Sequence, residues 1–389
     1  MTGPITTGTD LARLRELNSL SVVRALRGNP PSTVTELASR TGLSRPSVDL
    51  ITQILVSEGW ATVIEPTGSS VVGRPARRYQ FNAAAGYVIG VDVGVHKILG
   101  LVADLDGTVV HTVRRQVAPD ADPQVRLAAL DRAIADCFTK TKLAPDDLWA
   151  LTVGVTGPVD ATGRTTLFTP LPGWSAVDPV AYLTARYPCP VYVENDCKLA
   201  AVAERWHGVA QDADDIVYVL AGMRTGAGLI LDGTLRRGYG GAAGEIGALR
   251  AVRWLTAPSH LENCPGAPET ISPDDKAAWV FTTARAGNAD AQTAVRRYVR
   301  DLAVGAAALV LALDPQVVVL GGGFSRSADL ILEPLHRELQ RLCLRVPEIR
   351  ASTLGDESVA LGALRLSLDE ADQRMLSTGL SALSAARRS

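Results

Sequence analysis

The residues of this 389-residue chain best placed to do chemistry are a few acids set beside glycine or at an expected strand end. Glu194-Asn195-Asp196 closes the apolar run Val191-Tyr192-Val193 and opens an Ala-rich stretch, Lys198 to about Trp206, that reads as a helix. A carboxylate at a strand's end and a helix's start lies where an α/β protein has its substrate cleft. The bland alternative is that Asn195 or Asp196 only caps the helix that follows. Glu245 sits in a Gly-rich stretch from Leu220 to Ala248, where Gly-Glu-Ile-Gly follows a first Gly-rich turn. Glycine at this density marks backbone with positive φ or close approach to a ligand, and equally marks plain turns. Asp92 stands near the end of another buried-strand pattern, Tyr87 to Gly94, which closes on Asp and Gly.

The elements that must hold these residues read as alternating strands and helices. Ile98 to Ala103 and Thr108 to Val113 form a hairpin about Asp104-Leu105-Asp106-Gly107. Leu127 to Phe138 is an amphipathic helix and Leu148 to Val155 a buried strand, leading into Thr156-Gly157-Pro158-Val159-Asp160. Beyond the central glycines come two helical stretches between Ala277 and Leu313, then Val317 to Leu320 running into Gly321-Gly322-Gly323. Helices follow over Leu330 to Leu342 and Ser358 to Leu368, and a Ser/Ala/Arg-rich tail beyond Gln373 is expected to be loose.

Ahead of this body stands a different pattern. Leucines and valines from Leu11 to Leu26 recur at helical spacing and stop at Gly28-Asn29-Pro30-Pro31. Thr33 with Glu36 announces a second helix over Val34 to Arg40, and Ser44 caps a third from Arg45 to about Ser57 with Pro46 in its first turn. A helix, a glycine turn and a helix opening on Ser44, Arg45, Ser47 and Asp49 is the helix-turn-helix layout, whose second helix presents its N-terminal residues to the major groove. Strands at Trp60 to Ile64 and Arg78 to Phe81, joined by a polar loop, make a wing. There Arg74, Arg77 and Arg78 can neutralise phosphates, and Arg74 can enter the minor groove. The same layout also occurs in proteins that never touch DNA.

Composition agrees with a small basic head on an acidic body. Residues 1–82 carry nine Lys/Arg against six Asp/Glu, and the remainder 30 against 35. Five cysteines at wide spacing form neither a disulfide frame nor a Cys-pair metal site. No basic-then-apolar leader opens the chain and no apolar run reaches membrane-spanning length, so a cytoplasmic location is expected.

The central stretch resembles the ROK family (repressors, open reading frames and sugar kinases), which reads Gly-Thr-Gly-x-Gly-x-Gly and then Gly-Glu-Ile-Gly-His. Here stand Gly222-Met223-Arg224-Thr225-Gly226-Ala227-Gly228 and Gly244-Glu245-Ile246-Gly247-Ala248. Residues 14–82 resemble the winged-helix head of ROK-type repressors through Asn18, Leu37-Ala38, Thr41-Gly42-Leu43-Ser44, Gly59-Trp60 and Gly73-Arg74-Pro75. The resemblance implies an α/β chain: an N-terminal winged helix-turn-helix followed by a two-lobed actin-like ATPase/sugar-kinase (ribonuclease H-like) fold. Expected boundaries are a DNA-binding domain at 1–82, a first lobe at 83–200, a second at 201–370 and a flexible tail at 371–389.

For the site, the resemblance makes Asp196 the match of the kinase base. Gly157, Asn195, Glu245 and Glu269 become sugar-side residues, and Asp92, Gly94, Gly226, Gly228, Gly321 and Gly322 the remains of nucleotide loops. The departures fall on chemistry. Val95 and His96 stand where the family has Gly and Thr, and Met223-Arg224 where it has Thr-Gly, so phosphate donors are lost. Pro170 replaces a sugar-binding Asn. Ala248, His260, Glu262 and Ala267 replace the His and three Cys of a zinc site, with Gly266 and Glu269 retained and one stray thiol, Cys264. Two possible ligands cannot rebuild a four-donor zinc centre, so no metal and no cofactor are expected. Arg224 reads either as a solvated side chain or as a partner for an acidic effector.

Three functions remain open on the sequence. The first is a transcriptional regulator binding double-stranded operator DNA as a homodimer or dimer of dimers, controlled by a sugar or sugar derivative in a degenerate kinase cleft, without phosphoryl transfer. An active ATP-dependent sugar kinase with a regulatory head is the second. The third is a DNA-binding dimer whose body is only a scaffold.

Overall fold

The computed structural model describes residues 7–65, 76–165, 169–380 and 382–383. The head contains α1 (Thr7–Leu26), β1 (Ser32–Thr33), α2 (Val34–Thr41), α3 (Arg45–Ser57), β2 (Ala61–Ile64) and β3 (Arg78–Phe81). Local signals fix its helix ends. Thr33 and Glu36 exchange both bonds of a capping box, and Ser44 Oγ accepts from the Ser47 N–H at 3.3 Å. The short strand β1 was not foreseen; it pairs antiparallel with β3 and makes the wing a three-stranded sheet. Arg74 and the rest of Gly73-Arg74-Pro75 lie outside the described residues.

The first lobe is built from β4 (Tyr87–Val93), β5 (Lys97–Asp104), β6 (Val109–Gln116), α4 (Pro123–Thr141), β7 (Leu148–Val155), α5 (Pro179–Thr184) and β8 (Val191–Asn195). A connecting helix, α6 (Asp196–Trp206), leads to the second lobe. That lobe holds β9 (Ile216–Leu220), β10 (Gly226–Leu231), β11 (Thr234–Leu235), α7 (Ser259–Glu262), α8 (Pro273–Arg285), α9 (Ala289–Leu313), β12 (Val317–Gly321), α10 (Ala328–Leu342) and β13 (Glu348–Ala351). The last helix is α11 (Ser358–Thr378). The two five-stranded sheets share one strand order, β6-β5-β4-β7-β8 and β11-β10-β9-β12-β13. In each the first three strands form an antiparallel meander, and the last two run parallel to the first. Strands β4, β7, β9 and β12 therefore all end at the cleft side of their sheets, where α/β proteins gather their ligands.

Two expectations about the C-terminal part need correction. Residues after Ser358 were assigned to the second lobe, yet α11 crosses back and packs on β4, β7 and α6. Its apolar side, Ala360, Ala363, Leu364, Leu368 and Ala371, is buried by these contacts. Gly362 permits the crossing, because a methyl group there would fall on the carbonyl oxygen of Leu199 in α6. Nor is the described part of the tail loose: α11 continues past Gln373 to Thr378, and Leu380 and Leu383 are buried. These residues close a single hydrophobic core shared by head and first lobe, which runs from Leu20, Val23, Leu37 and Leu55 through Trp60 to Leu101, Trp149, Leu364 and Met375.

Trp60 of the head stands edge-on to Trp149 of β7, ring centroids 5.6 Å apart at 90°, and its indole N–H donates to Leu380 O at 3.3 Å. Arg27 at the foot of α1 donates to Leu105 O and pairs with Asp372 of α11. Helix α11 thus starts beside the cleft and ends under the head.

Candidate functional site: a two-lobed cleft and a winged-helix surface

Asp196 opens α6 at the junction of the lobes. Its Oδ1 accepts from the Cys197 N–H at 2.8 Å and from Asn195 Nδ2 at 3.1 Å. Burial pushes its carboxyl above the usual range, with the Thr156 hydroxyl and the Cys197 amide pulling the other way. Asn195 is fully occupied within the protein. Its Oδ1 caps α6 by accepting from the Lys198 N–H at 3.1 Å, and its amide also donates to Gly157 O at 3.0 Å. The capping alternative therefore describes Asn195, and Gly157 presents its carbonyl to that amide.

Two further acids feel the Asp196 charge. Asp92, at the end of β4, is buried and its carboxyl is pushed up to about 7, first by burial and further by the Asp196 charge, against the pull of Lys97. Glu245 is half-buried and also raised, by burial and by Asp196, while Lys198 opposes the rise. Lys198 was not singled out from sequence. Its side chain is fully buried in the first turn of α6, and its ammonium donates to Gly241 O in the loop that carries Glu245. Lone lysines look alike in sequence, so only the fold reveals this one as a tether between α6 and that loop. Glu269, by contrast, is exposed and makes no hydrogen bond or ion pair with these acids among the described residues.

The nucleotide-loop positions divide. After β4, the Gly94 N–H is committed to Lys97 O at 2.9 Å, and the Gly94 carbonyl accepts from Arg126 at 2.6 Å. Arg126 is fully buried and also reaches Val95 O at 3.3 Å, so this loop is held from inside by its carbonyls. Gly226 and Gly228 lie within β10 and not in the turn. A methyl on Gly226 would come 2.6 Å from Cys197 Sγ, and one on Gly228 would fall on Cys197 O. Their role is to let β10 approach α6, which sets the β9–β10 turn over Asp196. Met223 in that turn packs on the second-lobe core, and Arg224 is exposed. In the third loop Gly321 ends β12, Gly322 takes φ +81°, and Phe324 N–H closes on Ala221 O at 3.0 Å, the geometry of a tight strand-to-helix turn.

Residues aligned with a zinc site do not fit one. His260 Nε2 lies 2.8 Å from the buried carboxylate of Asp301 on α9, with Arg253 at 3.7 Å from the same oxygen. The Cys264 thiol is buried beside Pro265 O, and Ala248 offers no donor. Among the described residues no group of three or more His, Cys, Asp or Glu could hold a metal ion. Thr169, beside Pro170, is pinned through Thr156 O at 2.7 Å.

On the head, α3 buries Val48, Ile51, Thr52 and Leu55 and turns Arg45, Ser47, Asp49 and Leu50 outward. Ser44 and Ser47 share a hydroxyl contact of 2.8 Å at the start of this face, and Gln53 joins it through Asp49 at 3.0 Å. Leu50 and Gln53 were not foreseen; their exposure follows from which side of α3 the core takes. Arg77 is exposed beside the wing. Arg78 is exposed as well, donates to Pro31 O at 2.7 Å and faces Glu36 at 3.5 Å.

Comparison with known proteins matches this division. The ROK family model covers residues 88–267 and 268–370, and the IclR helix-turn-helix domain model covers residues 17–63. The chain is similar to the xylose repressor of Bacillus subtilis, 25% identical over 379 residues that cover 92% of this chain and 97% of the repressor. It is also similar to the glucokinase of Streptomyces coelicolor, 27% identical, covering 72% of this chain and 97% of the enzyme. Among solved structures, a ROK family transcriptional regulator homologous to the E. coli MLC protein superimposes with a TM-score of 0.71 at 18% identity, over 96% of this chain and all of that one. With its body matched almost end to end, this chain belongs to the ROK family.

Proposed function

We propose that the protein is a cytoplasmic, DNA-binding transcriptional regulator of the ROK type, in which a sugar-like effector bound in the cleft alters how the head meets operator DNA, and that its body does not transfer phosphoryl groups. The observation that carries this reading is the joint core. Head and first lobe are not beads on a linker but share Trp60, Trp149 and the end of α11, whose other end borders the acids of the cleft. A ligand shifts DNA affinity only by its differential affinity for two arrangements of such a coupled pair. Relatives matching nearly the whole chain are named repressors, whereas the named glucokinase matches 72% of it. Loss of phosphoryl transfer is supported by the committed Gly94 N–H, by Val95 and His96, and by Met223 turned into the core. Two-fold operators call for paired heads, so the working form is a homodimer.

A kinase reading keeps one observation in its favour, the placement of Asp196 at the start of α6 beside the cleft. The two are separated by measuring binding to DNA selected from a random pool, with and without sugars, beside a coupled ATPase assay. Tight DNA binding that a sugar changes, without ATP turnover, is expected. Sugar-dependent turnover abolished by Asp196→Asn would overturn the non-enzymatic reading, and DNA binding indifferent to every sugar would leave the body a scaffold.

A further inference from the structure

Helix α3 carries its exposed residues in two parallel rows. One is polar, Arg45, Asp49 and Gln53, and the other apolar, Pro46, Leu50 and Ile54, each row advancing by the four-residue step that keeps side chains on one face. Leu50 is 60% exposed and Ile54 38%. The helix cannot turn to bury them, because Val48, Ile51 and Leu55 already hold its opposite side in the core shared with Trp60 and the first lobe. A single exposed leucine on a protein surface needs no explanation. A leucine near the middle of this face does, because the second helix of a helix-turn-helix turns that face into the major groove. Gln53 lies beside it, and its Nε2 donates to Asp49 Oδ2 at 3.0 Å. That bond fixes the amide and leaves it one oxygen acceptor and a second N–H.

We propose that α3 reads an A·T step in each operator half-site: Leu50 packs on the C5-methyl of thymine, and Gln53, oriented by Asp49, pairs with the N6 and N7 edge of adenine. This rests on the regulator reading and names the bases that the head selects. The thymine methyl is the apolar group that base edges offer in the major groove, and the adenine edge presents the donor and acceptor that match an amide. Both side chains therefore call for the same base pair. Positions three apart are neighbours on a helix, with about 5–6 Å between Cβ atoms, so the two reach the same or adjacent base pairs at a spacing of about 3.4 Å. Asp49 acts through Gln53 and is a positioning residue.

The test uses the full chain and duplexes selected from a random pool, with binding followed by fluorescence anisotropy at fixed salt. Each thymine of the bound site is replaced in turn by uracil, which removes the methyl group and nothing else. At one thymine per half-site the affinity should fall about fourfold, the worth of roughly one buried carbon, and the loss should vanish in Leu50→Ala. Gln53→Ala should abolish the preference for adenine at that pair or its neighbour. Asp49→Ala should weaken this preference and Asp49→Asn, which keeps an acceptor, should restore it. All these side chains are exposed, so the variants should melt with the parent. Uracil without effect at every thymine, or a loss that persists in Leu50→Ala, would overturn the proposal while leaving DNA binding intact. A change of oligomeric state in Leu50→Ala with the uracil response unaltered would make the apolar row a contact between copies, and would overturn it as well. Failure of the parent chain to retain any duplex from the pool would overturn this proposal and the regulator reading together.

Discussion

If head and first lobe share one core, damage to the body side of that core must reach the DNA-binding helices. Trp149 is the place to test this. It is 3% exposed, meets Trp60 edge-on at 5.6 Å, lies against the backbone of Gly86 and has the Arg374 guanidinium 5.6 Å from its ring. Truncation of a buried Trp to Ala costs about 3–5 kcal/mol, and the edge-to-face pair contributes roughly 0.5–1.5 kcal/mol of it. Native-state hydrogen exchange of Trp149→Ala reads the consequence residue by residue. Slow amides of α1 and α3, more than one element away from the substitution, should exchange about 100-fold faster, matching roughly 3 kcal/mol of lost protection. A milder cycle of Trp60→Leu, Trp149→Leu and the double variant should show a coupling of about 1 kcal/mol in denaturant unfolding. Acceleration confined to β4 and β7, with additive Leu variants, would refute the shared core as the link between cleft and DNA.

Other expectations follow from single sites. Asp92, at about 7 against an ordinary 3.8, binds more protons folded than unfolded between those values, so stability falls as pH rises through that window. Asp92→Asn should therefore raise the thermal midpoint at pH 8 relative to the parent, by up to roughly 4 kcal/mol of stability, with the gap closing at pH 4. Arg45→Ala should weaken DNA binding and flatten its salt dependence with an unchanged melting point, whereas Arg78→Ala should lower the stability of the head by about 1 kcal/mol through its lost bond to Pro31 O. Gly362→Ala should cost about 1–3 kcal/mol in unfolding experiments by forcing α11 off α6. Metal analysis of purified protein should find far less than one zinc per chain, and stoichiometric zinc would show that the His260 and Asp301 pairing has been misread.

What the sequence determined by itself is local. The caps at Thr33 and Ser44 set the helix starts of the head because their hydrogen bonds span three residues and need no other part of the chain. Apolar runs such as Leu148–Val155 fix buried strands, and Asp196 falls at a strand-to-helix junction whatever surrounds it. The tertiary structure decided which of many similar side chains have partners. An arginine at residue 45 and one at residue 78 look alike in a sequence, and both are exposed, yet Arg78 is the one that donates to the Pro31 carbonyl. Gly226 and Gly228, read as ligand loops, serve the approach of a strand to α6. The return of α11 to the first sheet, the burial of Lys198 and the pairing of His260 with Asp301 depend on contacts between residues far apart in the chain. Hydrophobic period and capping chemistry carry no information about such partners, because the energy that selects them comes from packing after the elements exist.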